Sequence, residues 1–177
     1  MALIVAVATA LPVYAAENLQ LVEQQIKAGM LYNFLKYTEW PAGRMPAPGE
    51  QVVVCLLGSD PFGGHLGPMA GRTVNQLVIG VRTLAANAEV RNCSLLVVPA
   101  AEESNWPDMQ RRLVGQSVLT VSDIPGFASS GGMIEFTRVD NRIGVTINTD
   151  SVMAAHLMVQ DRLLRLARTV GKAPQGR

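Results

Sequence analysis

Few residue types in this chain could do chemistry, and their spacing narrows what that chemistry is. Cys55 lies in the apolar run Val52–Leu57, and Cys93 precedes the run Ser94–Val98. Both runs read as buried strands. Two cysteines in one small domain pair in an oxidising compartment; the other reading is two buried free thiols. A metal centre is not expected, because the cysteines are isolated and the two histidines, His65 and His156, stand far apart. The G-x-S-x-G elbow, the H-E-x-x-H pair, the dinucleotide fingerprint and the phosphate-loop pattern are all absent. The carboxylates are scattered, and Glu102-Glu103 reads as a solvated loop. A binding or regulatory module fits this inventory better than an enzyme, with no catalytic residue and no cofactor expected.

Recognition chemistry is easier to place. Arg72 and Arg142 carry guanidinium groups that can take a carboxylate or phosphate of a partner or ligand in bidentate fashion. Each can equally pair with a loop carboxylate of its own chain. Tyr37 and Trp40 close an aromatic cluster with Tyr32 and Phe34, either a contact surface or an anchor that packs a helix end onto a sheet. Phe127 sits in the Gly-, Ser- and Pro-rich stretch Asp123–Gly132, and an exposed aromatic there would suit a partner. Gly58-Ser59-Asp60-Pro61 is a turn whose backbone N–H groups could face an anion.

The elements that must position these residues follow from periodicity. Ser117–Asn148 holds three strand-like runs: Val118–Val121, then Met133–Val139 and Arg142–Ile147 about the two-residue link Asp140-Asn141, a hairpin signal. Leu19, Val22, Ile26, Met30, Phe34 and Tyr37 form one apolar stripe on a helix expected over Asn18–Tyr37. Gln51–Leu57, Gln76–Arg82 and Ser94–Val98 read as further strands, and Ala85–Val90 as a helical turn. Ser104–Leu113 reads as a helix capped by Ser104. A last helix is expected over Asp150–Val170, capped by Thr149 or Asp150, with Arg162, Arg165 and Arg168 near its end. The β-α-β rhythm predicts an α/β fold. Its central sheet is mainly parallel, closed by a C-terminal β-hairpin and covered by helices on both faces.

Composition supports one domain. At 177 residues, with 49% apolar and 16% charged residues and a net charge of +1, the chain can bury a full core and lacks the basic surplus that nucleic acid requires. Residues 1–16 resemble a signal peptide, with Val13-Tyr14-Ala15 ahead of a cleavage point; a basic leading segment is missing, which suggests a start codon upstream. The mature domain is expected over residues 17–171, with a frayed tail over 172–177.

Several motifs, taken in order, resemble the YfiR family, also described as HmsC-like or DUF4154. They are I-K-A-G-M-L-Y-N-F-L-K-Y-T-E-W-P (Ile26–Pro41), V-C-L-L-G-S-D-P-F-G (Val54–Gly63), G-R-T-V (Gly71–Val74), C-S-L-L-V-V (Cys93–Val98), L-T-V-S-D-I-P-G-F-A-S-S-G-G-M-I-E-F (Leu119–Phe136), R-I-G-V-T-I-N (Arg142–Asn148) and L-L-R-L-A-R (Leu163–Arg168). The resemblance implies a single-domain α/β sandwich that acts as a periplasmic regulator. Its best known member represses an inner-membrane diguanylate cyclase by binding the cyclase's periplasmic region, and an outer-membrane lipoprotein relieves this by sequestering the repressor. It also implies a homodimer, a possible small-molecule ligand and no required cofactor. Cys55 and Cys93 match the family's disulfide positions; the second cysteine pair of the best known member has no counterpart here.

Overall fold

The computed structural model describes residues 11–44, 46–140 and 142–171. Most of the expected signal peptide and all of the expected tail lie outside these residues. The first helix, α1, spans Leu11–Lys36. It is followed by β1 (Thr38–Glu39), β2 (Gln51–Leu57), β3 (Thr73–Val74), β4 (Leu77–Leu84) and β5 (Leu95–Val98). Then come α2 (Trp106–Leu113), β6 (Leu119–Ser122), β7 (Ile134–Val139) and β8 (Arg142–Asn148). The chain closes with α3 (Thr149–Ala154), β9 (Met158–Val159), α4 (Asp161–Leu164) and β10 (Arg168–Val170).

Eight strands form one sheet in the order β10-β8-β7-β6-β5-β2-β4-β3. The central pairings β4/β2, β2/β5, β5/β6 and β6/β7 are parallel, and β7/β8 is the antiparallel hairpin. Its arms meet at Val139↔Arg142, with Asp140 in the left-handed region at φ 46°. The mainly parallel α/β sandwich expected from the sequence is the fold.

The central strands are apolar without a polar face because both faces are covered. Val52, Val54 and Leu56 of β2 and Leu95 and Val97 of β5 point into the larger core, beneath Ala28, Leu31, Phe34 and Leu35 of α1. Cys55 and Leu57 of β2 and Leu96 and Val98 of β5 point the other way, onto Trp106 and Met109 of α2. The Cys55–Cys93 disulfide belongs to this second core, with Cα atoms 5.8 Å apart.

Three expectations need correction. The single C-terminal helix does not form. The chain leaves α3 through His156 at φ 58°, then places Val159 opposite Thr38 in a small second sheet and runs β10 parallel to β8. Its apolar residues therefore serve separate segments rather than one stripe. The cap of α3 is Asn148, whose side chain accepts from the Ser151 N–H at 3.0 Å, and Arg168 lies in a strand. At α2, Ser104 lies inside a 3₁₀ turn over Ala100–Asn105, so the helix itself starts at Trp106. Within Ala85–Val90 the chain makes one turn, closed by the Ala88 N–H donating to the Ala85 carbonyl at 2.9 Å, and no further helix. A second hairpin went unread: Asn75 and Gln76, at φ 49° and 68°, turn β3 back onto β4. The Asn75 side chain donates to the Lys36 carbonyl at 3.0 Å, satisfying an acceptor at the end of α1.

Candidate functional site

The apolar stripe on α1 divides in two. Its later part is buried on the sheet, while Leu19, Val22 and Ile26 are 66%, 53% and 47% exposed. A globular domain seldom leaves several large apolar side chains in one row facing water unless something covers them. Beneath this half of the helix lies a cleft of about 1160 Å³. Its floor and far wall are Phe62, Ser122, Asp123, Pro125, Phe136 and Ile143. Most of these sit at or just beyond the C-terminal ends of β2 and β6, or on the neighbouring hairpin. The chain runs from β2 outward to β4, then returns to β5 on the other side of β2. A crevice outside the carboxyl ends of strands at such a reversal is where α/β sheets take ligands and partners.

Ion pairs tie the helix across the cleft. The Lys27 ammonium meets Glu23 at 2.8 Å and Asp123 at 3.4 Å, and lies 5.7 Å from the Phe136 ring centre. Arg138 of β7 pairs with the other oxygen of Glu23. The Lys27 hydrogen bond, with the Lys27 and Arg138 charges, holds the Glu23 carboxyl below its usual pKa against the opposing effect of burial. A lowered folded-state pKa contributes stability that is complete above the unfolded value and is lost as pH falls through the folded one. Acidification below about pH 4.5 therefore loosens α1 from the hairpin. Acid unfolding followed by circular dichroism checks this: Glu23→Gln should flatten the acid limb of the stability curve.

Glu135 works differently. Its buried carboxylate accepts from the Gly126 N–H at 2.9 Å and the Ala128 N–H at 3.0 Å, fixing the loop after β6. That loop is therefore a built wall of the cleft.

Of Arg72, Arg142, Tyr37, Trp40 and Phe127, Arg142 alone lines the cleft; Pro61 of the Gly58–Pro61 turn and Asp123 and Pro125 of the loop after β6 line it as well. Arg142 is exposed, and no hydrogen-bond or ion-pair partner holds it among the described residues. Arg72 is elsewhere, its guanidinium 5.5 Å from the centre of the Tyr32 ring. Tyr37 is half-buried, with Lys36 and Arg162 over its ring at 5.3 and 5.5 Å. Trp40 is half-buried against the larger core. Both aromatics pack the helix end onto the body. Phe127 is not a surface residue: it is 0% exposed and packs 4.4 Å from Trp106 between ring centres. An isolated exposed ring would forgo that burial, so the loop folds inward.

Donors in and after the Gly58–Pro61 turn are partly used within the chain. The Asp60 carboxylate takes the Phe62 and Gly64 N–H groups, both at 2.8 Å, and the Gly58 N–H donates to Leu84. Those donors are not open to an anion. The pairing of Lys27 with Asp123, and the part of Glu23 in it, carry no sequence signal, because charged residues on a helix and in a loop give no sign of meeting 96 residues apart.

Among the described residues, no helix is long and apolar enough to cross a membrane, and no cluster of potential metal ligands occurs. Comparison with curated proteins finds no match. The YfiR/HmsC-like family model matches residues 24–168, which hold both cysteines, the eight-stranded sheet up to the first residue of β10, and the cleft lining apart from Leu19, Gln20, Val22 and Glu23 of α1. With a match of that extent over this fold, the chain belongs to the YfiR/HmsC-like family.

Proposed function

We propose that this protein is a periplasmic signalling regulator that docks on the periplasmic region of an inner-membrane diguanylate cyclase and lowers cyclic di-GMP output. Residues 1–16 serve as its export signal, and an outer-membrane lipoprotein competes for the same regulator in this reading. The protein acts as a homodimer and uses no cofactor. Family membership supports the class of function. The observation that carries the docking claim is the exposed row Leu19, Val22 and Ile26 above an open cleft. A repressor needs an apolar surface that one partner covers and another competes for.

The central part of such a contact dominates its energy, and truncating or charging it costs about 2–4 kcal/mol per residue. Val22→Glu with Ile26→Glu is therefore expected to weaken cyclase binding by about 100-fold or more. Both positions are exposed, so the melting temperature should stay near wild type. Binding to the purified periplasmic region of the cyclase, with cyclic di-GMP in cells as second readout, checks this. Full binding by a folded double variant would remove this face from the contact.

A second reading rests on the cleft with Arg142, whose side chain has no partner among the described residues: a periplasmic protein that binds a small ligand and reports to no cyclase. Native mass spectrometry separates the two, since this reading requires a retained small molecule that Arg142→Ala releases.

A further inference from the structure

One edge of the sheet is only half covered. β3 pairs with Leu77 and Val78 of β4. The last bonds from the covering chain reach Ile79, whose N–H donates to Arg72 and whose carbonyl accepts from Gly71, both at 2.8 Å. The covering chain then turns away at Gly71, with φ 80°. Backbone groups of successive strand residues point to opposite sides within the sheet. The Val78 N–H and the Leu84 carbonyl bond toward β2, and Ile79 points outward. Val81 and Thr83 therefore also point outward, and their N–H and C=O groups have no protein partner among the described residues. A groove of about 320 Å³ runs beside them, lined by Val53, Ala70, Gly71, Val78 and Gly80. It shares no residue with the cleft under α1.

We propose that this open edge of β4 takes an extended segment of another protein as an added strand, with a carboxylate of that segment beside Arg82. Arg82 is exposed at the middle of the open stretch. Its guanidinium nitrogens lie 3.4 Å from the Cys55 sulfur and 3.7 Å from the Cys93 sulfur. These are weak acceptors that leave its charge uncompensated. A second copy of this chain is a poor occupant. Antiparallel self-pairing that bonds Val81 to Thr83 of the other copy sets Arg82 directly opposite its equivalent, and like charges there are destabilising. An acidic strand meets the same charge favourably. Main-chain bonds then hold it, and the groove takes its alternate side chains. A charge on an edge also deters indiscriminate pairing, so Arg82 selects among strands rather than inviting all of them.

Amide hydrogen exchange followed by NMR on the mature chain tests this, with a blocked Thr-Val-Glu-Val-Thr peptide and its Lys-centred counterpart as probes. With the Glu peptide at millimolar concentration, the Val81 and Thr83 amides should exchange about tenfold more slowly. The Lys peptide should leave them unchanged, and Arg82→Glu should reverse the preference. Val81→Pro removes an outward N–H without touching the β2 ladder, so the protein should fold and lose the effect at Thr83. No slowing with either peptide, or equal slowing with both, would overturn the proposal. Protection that rises with protein concentration alone would replace the partner strand by a second copy.

Discussion

Exchanging both Cys55 and Cys93 for serine is expected to lower the unfolding free energy by about 4 kcal/mol. The bridge closes a loop whose ends are separated by 38 residues, and it joins Cys55 within β2 to the residue two positions before β5. Opening it frees that loop in the unfolded chain. It also leaves two hydroxyls in a core where Cys55 is 0% and Cys93 5% exposed. For a domain of this size the loss corresponds to roughly a 10 °C fall in melting temperature. Differential scanning calorimetry of the double variant measures it. A fall of only a degree or two would mean that β2 and β5 hold this loop without the bond. Labelling of native protein by a thiol reagent should find neither cysteine free.

Phe127→Ala should cost about 3–5 kcal/mol, the range for removing a fully buried ring. The side chain fills the space between α2 and the loop after β6, and it does so against a glycine. A Cβ on Gly132 would come within 2.2 Å of the ring, so the close approach requires glycine there. Neighbouring bonds hold the loop in the same shape: Glu135 accepts from Gly126 and Ala128, and the Asn148 side chain donates to the Ala128 carbonyl at 2.6 Å. The ring thus acts on the cleft only by keeping its wall in place. Denaturant titration gives the stability loss. A variant that kept wild-type stability yet lost partner binding would return Phe127 to the contact surface.

Much of this architecture is legible in the sequence because the central strands are buried on both faces. Val52–Leu57 and Ser94–Val98 have no polar alternation, and short apolar runs between turn residues admit few other elements. The Asp140-Asn141 pair between two alternating runs announces the β7/β8 hairpin in the same way. The C-terminal region misled because Val152, Leu157, Leu163 and Leu164 fit helical spacing while being used by different segments. Pairing of Val159 with Thr38 and of Val170 with Asn148 overrides local periodicity, and no local signal announces it. The site was less legible for a related reason. Leu19, Val22 and Ile26 fit the helical stripe as well as Phe34 does, but only the position of the sheet decides which turns of a helix find cover. Arg142 was chosen for its chemistry, and the cleft places it beside residues far away in the chain. Phe127 sits in a Gly-, Ser- and Pro-rich stretch that suits an exposed ring, yet Gly132 is there to admit that ring into the core.

The docking claim is tested most directly by placing a photo-crosslinking residue at Ile26 and, separately, at Val114, which is 78% exposed just after α2. Illumination in cells is followed by capture and mass spectrometry of the membrane fraction. The account predicts that Ile26 crosslinks to an inner-membrane protein bearing a periplasmic region and a cytoplasmic cyclase domain, and that Val114 does not. Equal crosslinking from both positions, or none from Ile26 where the protein is abundant, would contradict it.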